Sequence, residues 1–145
     1  LAAALWLIGA AQAEPLYEAG KAHWLAAEYQ PAYDALLDFR ALPFADGAFK
    51  LIAFDPPHLT RAGPRSWMAA KYGKLGPDWR ADLRQGFAEC FRVLATDGVL
   101  VFKWNETQVK VREVLALTPH QPLFGQVSGR GGLTHWLVFM KPRAA

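Results

Sequence analysis

The sequence contains a single cysteine, Cys90, in 145 residues. One cysteine excludes an internal disulfide framework and a zinc site built from several cysteines. We expect Cys90 to be a small buried core residue of a cytoplasmic protein, because free thiols persist in a reducing compartment. The sequence also lacks a run long enough to cross a bilayer. The apolar stretch at residues 1–13 is shorter than the roughly 20 residues that a membrane-spanning helix needs, so no membrane partner is expected.

Residues 1–13 lack the basic start of a signal peptide, although they end in an Ala-Gln-Ala that resembles a signal-peptidase site. We expect an apolar helix or the end of a fragment here. A generic secreted α/β domain is the alternative that depends on this start alone. Because the first residue is Leu1 rather than Met, we expect the chain to have been trimmed, processed or cut from a longer one.

The composition predicts one globular domain with an uneven charge. Apolar residues make up 52% of the chain and charged residues 20%, which excludes a disordered chain. Six tryptophans and nine phenylalanines predict a dense aromatic core, a stacking surface, or both. Residues 1–60 hold three basic and seven acidic side chains, a net −4, and residues 61–145 hold thirteen and six, a net +7. The second part can attract a nucleic acid backbone, and a solvated basic face is the alternative.

Apolar periodicity and turn residues divide the chain into alternating helices and strands. A helical segment is predicted up to residue 36, with a break or restart at Pro31. The strongest strand, residues 49–54, ends at two prolines that cannot continue a sheet ladder. The later predicted elements are a long loop over residues 59–76 with a helical turn at 66–70, a helix over 77–98, a strand over 99–102, a helix over 109–117, and strands over 122–125 and 135–140.

This order predicts an α/β domain over residues 37–145, preceded by an atypical or truncated helical segment at residues 1–36. Strands that alternate with helices favour a mostly parallel sheet. The last two strands are joined by the glycine-rich turn at residues 128–132, which favours an antiparallel pair at the C-terminal edge.

Two polar clusters directly follow predicted strands, at residues 55–58 (Asp-Pro-Pro-His) and residues 103–106 (Lys-Trp-Asn-Glu). The carboxyl ends of parallel strands meet at one edge of a sheet, where ligands bind, so we expect the clusters to be neighbours. Asp55 offers an acceptor for an amino group, and the prolines leave carbonyls that no ladder uses. Such acceptors can hold an exocyclic nitrogen of a base that has left its stack.

The first cluster resembles the Asp-Pro-Pro-aromatic signature of class I S-adenosylmethionine-dependent methyltransferases that act on amino nitrogens, chiefly of adenine. The stretch from residue 38 to residue 141 is similar to small phage or prophage methyltransferases of the DNA adenine type. The segments that carry the likeness are residues 38–49, 54–58, 71–75 (Lys-Tyr-Gly-Lys-Leu), 87–100, 102–106 (Phe-Lys-Trp-Asn-Glu) and 134–136 (Thr-His-Trp).

The resemblance implies a Rossmann-like methyltransferase sheet, S-adenosylmethionine as the methyl donor, and DNA or RNA as the partner. It implies that the amine is held by residues of the first cluster, namely Asp55, Pro56, Pro57 and His58. It places the donor near Asp38, Phe39 and Asp55. It assigns the substrate to Lys71, Tyr72, Lys74, Lys103, Asn105, Glu106 and Arg130.

Two features depart from the family pattern. His58 stands where the family has a larger aromatic residue, and imidazole stacks less extensively. Residues 1–37 show no strand followed by a Gly-rich loop and a helix, the unit that binds the donor in the family, so we expect the sheet to be incomplete at its N-terminus. The alternative function is therefore a truncated or inactive relative that binds nucleic acid or a partner.

Several candidate residues have plainer alternative roles. Asp55 and Asp38 can each cap a turn, and the basic loop with Lys71 and Lys74 can be a solvated surface. The turn at residues 128–132 favours a hairpin over a phosphate cradle, because no helix N-terminus follows it. His135 in an apolar strand is more typical of a core or edge histidine. The remaining histidines lack metal-ligand spacing, so no metal site is expected.

Overall fold

The computed structural model describes residues 4–8 and 38–143. Its strands and longer helices are β1 (Ala4–Ile8), β2 (Phe49–Asp55), α1 (Trp67–Tyr72), α2 (Trp79–Val93), β3 (Leu94–Asn105), α3 (Val111–Leu115), β4 (Phe124–Ser128) and β5 (Thr134–Met140), with a 3₁₀ turn at Arg130–Gly132 before β5. No helix in this part of the chain is long and apolar enough to span a membrane.

The strands form one open, mixed sheet in the order β1-β2-β3-β5-β4. β2 and β3 are parallel, whereas β5 pairs antiparallel with both β3 and β4, so β2, β3 and β4 run in one direction. The α/β class and the antiparallel C-terminal pair are confirmed. The expected mostly parallel pairing is wrong for the described strands, because β5 inserts between β3 and β4 and β1 pairs antiparallel with β2.

The first strand corrects the helix expected at the start of the chain. Ala4–Ile8 forms β1, and its register joins Ala4 to Asp55 and Ile8 to Leu51 on the edge of β2. A short continuous apolar run fits a buried strand as well as a helix, so periodicity could not separate the two. The unpaired backbone groups at the edge of β2 favour the strand. The rest of the predicted N-terminal segment, residues 1–3 and 9–36, lies outside the described residues.

Helix α2 packs its apolar face onto one face of the sheet. It follows the predicted spacing, with Leu83, Phe87 and Cys90 fully buried. The Phe87 ring lies 4.9 Å from that of Phe102 on β3 and 5.7 Å from that of Phe54 on β2. These contacts fix both strands against the helix, and they leave the carboxyl ends of β2 and β3 side by side.

The boundary between α2 and β3 falls earlier than expected. The helix ends at Val93, and Leu94 already has extended backbone angles as the first residue of β3. The sequence predicts the end of the helix at the Asp-Gly turn of residues 97–98. Asp97 does adopt a positive φ of 59°, but it does so within β3. The turn residues therefore mark an irregularity at the start of the strand rather than the end of the helix.

Candidate functional site

The structure brings the two polar clusters together at one edge of the sheet. The register pairs Phe54 with Phe102, which places Asp55 beside Lys103 at the ends of β2 and β3. Lys103 Nζ donates to Asp55 Oδ2 over 2.6 Å. Both side chains are about one third exposed, so the ion pair faces solvent at the strand ends.

Asp55 keeps one carboxylate oxygen available. Lys103 donates to Oδ2, and no described residue donates to Oδ1. A carboxylate accepts up to about four hydrogen bonds, so Oδ1 is free to accept from a ligand. Lys103 thereby orients the carboxylate and still leaves Oδ1 able to accept hydrogen bonds.

The residues after Asp55 form a stiff wall beside the carboxylate. Pro56 and Pro57 are buried, whereas His58 is only partly buried. The His58 ring meets that of the buried Trp104 edge-on, with 6.4 Å between their centroids. Burial lowers the pKa of His58 below its usual 6.5, the Asp55 carboxylate opposes this shift, and the Lys103 ammonium adds to it. His58 is therefore neutral at pH 7.

Trp136 joins the site from β5, where sequence reasoning had not placed it. It lies opposite Lys103 in the register, and Lys103 Nζ is 5.4 Å from the centre of its ring. Its indole N–H donates to Ser128 Oγ over 3.1 Å, and the side chain is 41% exposed. The signal that could have found it is the pairing of the last predicted strand with the strand that precedes Lys103.

Asn105 and Glu106 lie next to the site, but their polar atoms hold the local structure. Asn105 donates to Thr134 Oγ1 over 3.1 Å and accepts from the backbone N–H of Thr107. Glu106 Oε2 accepts from the N–H of Val111 at the start of α3, and this hydrogen bond is the largest cause of the lowered pKa of Glu106. Both side chains secure the turn between β3 and α3, and their predicted contact with substrate stays a prediction.

His135 sits beside this turn without a hydrogen bond of its own. Its Nε2 is buried and lies 3.4 Å from Glu106 Oε2, yet it forms no hydrogen bond with any residue that the structure describes. Its partly buried place on β5, with Glu106 as a charged neighbour, fits the core or edge histidine that the sequence predicts.

Two of the three predicted donor contacts, Asp38 and Phe39, are already engaged within the protein. Arg40 gives Asp38 four hydrogen bonds, one from its backbone N–H and three from its guanidinium. The side-chain hydrogen bonds are the largest cause that lowers the pKa of Asp38 to about 2. Phe39 is fully buried with its ring 5.4 Å from that of Phe54, so it could touch a donor only through its backbone.

The predicted substrate loop is anchored beside the site. Lys71, Tyr72 and Lys74 are exposed on α1 and the turn after it, which confirms the helical turn expected there. The loop returns to the site because the N–H of the buried Leu75 donates to the Leu59 carbonyl over 2.8 Å. Arg130 is exposed in the turn between β4 and β5, which confirms a hairpin at this position.

The arrangement provides a free carboxylate oxygen, a rigid proline turn and a neutral imidazole at the end of two parallel strands. These groups can accept hydrogen bonds from a neutral amine and pack against the ring that carries it. A comparison of the chain with known protein families and with curated proteins finds no match.

Proposed function

We propose that the chain is an S-adenosylmethionine-dependent methyltransferase that transfers a methyl group to an amino nitrogen, in particular that of an adenine-like nucleic acid base. The observation that carries the proposal is Asp55 at the end of β2, with Oδ2 held by Lys103 and Oδ1 free. The common direction of β2, β3 and β4 supports a Rossmann-like methyltransferase sheet, which gathers strand ends at one edge.

The acceptor side would act by positioning. Asp55 Oδ1 accepts one N–H of the exocyclic amine, and the Pro56 carbonyl, next in the chain, accepts the other. The nitrogen lone pair is then left to point away from both acceptors. Because His58 is neutral, its ring packs against the base without bringing a positive charge next to Lys103. Fixing a reactant in this way contributes several kcal/mol, up to about 10, to a transfer reaction.

The donor side does not carry the proposal. S-adenosylmethionine would supply an electrophilic methyl group on its sulfonium. Two of its predicted contacts are already occupied, because Arg40 donates to both carboxylate oxygens of Asp38 and Phe39 lies in the core. A ribose hydroxyl would have to displace one of the hydrogen bonds from Arg40 to reach Asp38.

The engagement of Asp38 favours a second candidate function. A relative that has lost donor binding would keep the basic part of the chain, residues 61–145, with its net charge of +7. Such a protein would bind nucleic acid or a protein partner without transferring a methyl group. The two candidates differ in whether the chain binds S-adenosylmethionine and transfers its methyl group.

Calorimetric titration with S-adenosylmethionine separates the two candidates. We expect binding in the micromolar range for the enzyme, and affinity no tighter than about millimolar would contradict it. Arg40→Gln is the informative variant. It frees Asp38, so it should retain or strengthen donor binding if Asp38 contacts the donor. Arg80→Gln, which removes an exposed arginine paired with Glu113 on α3, is the matched control.

A further inference from the structure

We infer that α1 and its flanking residues form a binding surface for an unpaired nucleic acid strand, with Trp67 and Tyr72 as the stacking platform. This inference rests on the proposed function for its choice of nucleic acid. The surface consists of Arg61, Arg65, Trp67, Lys71, Tyr72 and Lys74, and is called the α1 surface below.

The charge of the α1 surface is positive, and no carboxylate among the described residues pairs with it. Residues 56–77 contain four basic side chains and no aspartate or glutamate. All four are exposed, and none of them forms an ion pair with any residue in ranges 4–8 and 38–143. Arg40 and Arg92 elsewhere in the chain are each held by two carboxylates. The α1 cations are therefore available to phosphates, which attract them strongly at low salt.

Two large aromatic side chains stand in the middle of these cations. Trp67 is 67% exposed and Tyr72 is 53% exposed, and their ring centroids lie 6.3 Å apart. Helix α1 buries none of its residues, so neither ring is needed for the core. Lys71 Nζ lies 5.3 Å from the Tyr72 ring, which places a cation beside a stacking face. Exposed aromatic rings among basic residues are the arrangement on which single-stranded nucleic acids bind.

The α1 surface is fixed next to the candidate site. Gln108 Oε1 accepts from the backbone N–H groups of Thr60 and Arg61, at 2.9 Å and 2.8 Å. At the other end, a side chain on Gly73 would come within 3.8 Å of Pro57. The C-terminal end of α1 therefore lies beside Pro57, two residues after Asp55 in the chain.

Stacking on side chains selects an unpaired strand. In a duplex both faces of each base are covered by its neighbours, so Trp67 and Tyr72 would have no face to contact. An unpaired strand leaves those faces open, and each base that stacks on an aromatic side chain contributes about 1–3 kcal/mol. An unpaired target also spares the cost of extruding the base from a helix.

Fluorescence anisotropy with the full chain tests this inference without S-adenosylmethionine. The probe is a labelled DNA strand of about 12 nucleotides, compared with its duplex. We expect the single strand to bind at least about tenfold more tightly than the duplex, and Trp67→Ala/Tyr72→Ala to lose about tenfold or more of that affinity. The matched control is Phe124→Ala, which removes an equally exposed aromatic ring from edge strand β4.

The basic residues give an independent readout. Lys71→Ala/Lys74→Ala should lower the dependence of log K on log salt by about 1 to 1.5, because each phosphate contact on a single strand contributes about 0.7. Arg112→Ala, an exposed arginine on α3, should leave the slope unchanged. Equal binding of duplex and single strand, wild-type affinity in the double aromatic variant, or binding only to phosphatidylserine vesicles would each overturn the inference.

The outcome is separable from that of the proposed function. If the chain binds the strand but not S-adenosylmethionine, the proposed methyltransferase activity is rejected and the inference about the α1 surface stands. If the chain binds S-adenosylmethionine but not the strand, the inference about the α1 surface is rejected and the enzyme must have another acceptor.

Discussion

Lys103 Nζ lies 2.6 Å from Asp55 Oδ2, and this ion pair joins the ends of the parallel strands β2 and β3. Because both side chains are about one third exposed, the pair contributes only about 0.2–1 kcal/mol to folding. Its larger effect is geometric, since it fixes the direction of the carboxylate and leaves Oδ1 without a donor among the described residues. We therefore expect the pair to matter for function more than for stability.

Removing the Lys103 ammonium should separate these two effects. Lys103→Met keeps the length of the side chain, and we expect methyl transfer to fall about tenfold, the effect of losing one charged hydrogen bond that orients Asp55. The free energy of unfolding should change by less than about 1 kcal/mol. The control is Lys50→Met, near the other end of β2. Loss of stability with unchanged transfer would show that Lys103 serves the fold alone.

The pKa of His58 should respond with opposite signs to its two charged neighbours. NMR titration of the chain should give a pKa below 6.5, since burial disfavours the imidazolium. Asp55→Asn should lower the pKa further, and Lys103→Met should raise it. Shifts in the same direction in both variants would contradict the described geometry.

The same shift gives His58 a defined effect on stability. Its pKa is lower in the folded chain than in the unfolded chain, so the unfolded state binds more protons between these two values. The contribution of neutral His58 is fully present above about pH 6.5 and is lost as the pH falls through the folded pKa. His58→Gln, measured by urea unfolding at several pH values, should remove this part of the pH dependence.

Gly86 sets how closely α2 approaches the sheet. A Cβ at this position would lie 2.5 Å from Cδ2 and 2.8 Å from Cε2 of Phe39, closer than atoms can pack, and 3.1 Å from Cζ of Phe54, a tight contact. Gly86→Ala should therefore destabilise the fold by about 1–3 kcal/mol, although alanine favours a helix. Gly63→Ala, where a Cβ meets nothing within 4 Å, should change the unfolding free energy little. Urea unfolding of the two variants checks the difference.

The thiol of Cys90 should be inert in the folded chain. It is fully buried in α2, and burial raises its pKa well above the usual value. A thiol reagent at pH 8 should react only as fast as the chain unfolds, and the rate should rise sharply on adding denaturant. Rapid reaction of the native chain would contradict the packing of α2 on the sheet.

The elements that sequence reasoning located correctly are those with a strong local pattern. The apolar run of β2 stops at two prolines, and the spacing of Leu83, Phe87 and Cys90 fits only a helix. The position of β5 between β3 and β4 could not be predicted, because a buried strand reads alike in parallel and antiparallel pairing. The prediction for β1 was wrong for a related reason, since five residues are too few to distinguish the period of a strand from that of a helix.

The sequence predicts that the two polar clusters meet at the ends of two strands. It does not predict which side chains contact one another there. Asp55 and Lys103 were expected to be neighbours because each follows a buried strand. That they pair directly, and that Trp136 flanks them, depends on a register that emerges only when the sheet forms. The engagement of Asp38 by Arg40 was not predictable from the sequence either, because it depends on a fold in which Arg40 also donates to Asp82 on α2.

Transfer of a labelled methyl group from S-adenosylmethionine to single-stranded DNA and RNA tests the central claim most directly. We expect transfer by the unaltered chain, with a loss of about 100-fold or more in Asp55→Ala, because its carboxylate holds the reacting amine. Asp78→Ala should retain full activity, since that exposed carboxylate makes no capping bond at the start of α2. No transfer by the unaltered chain, or full transfer by Asp55→Ala, would contradict the account.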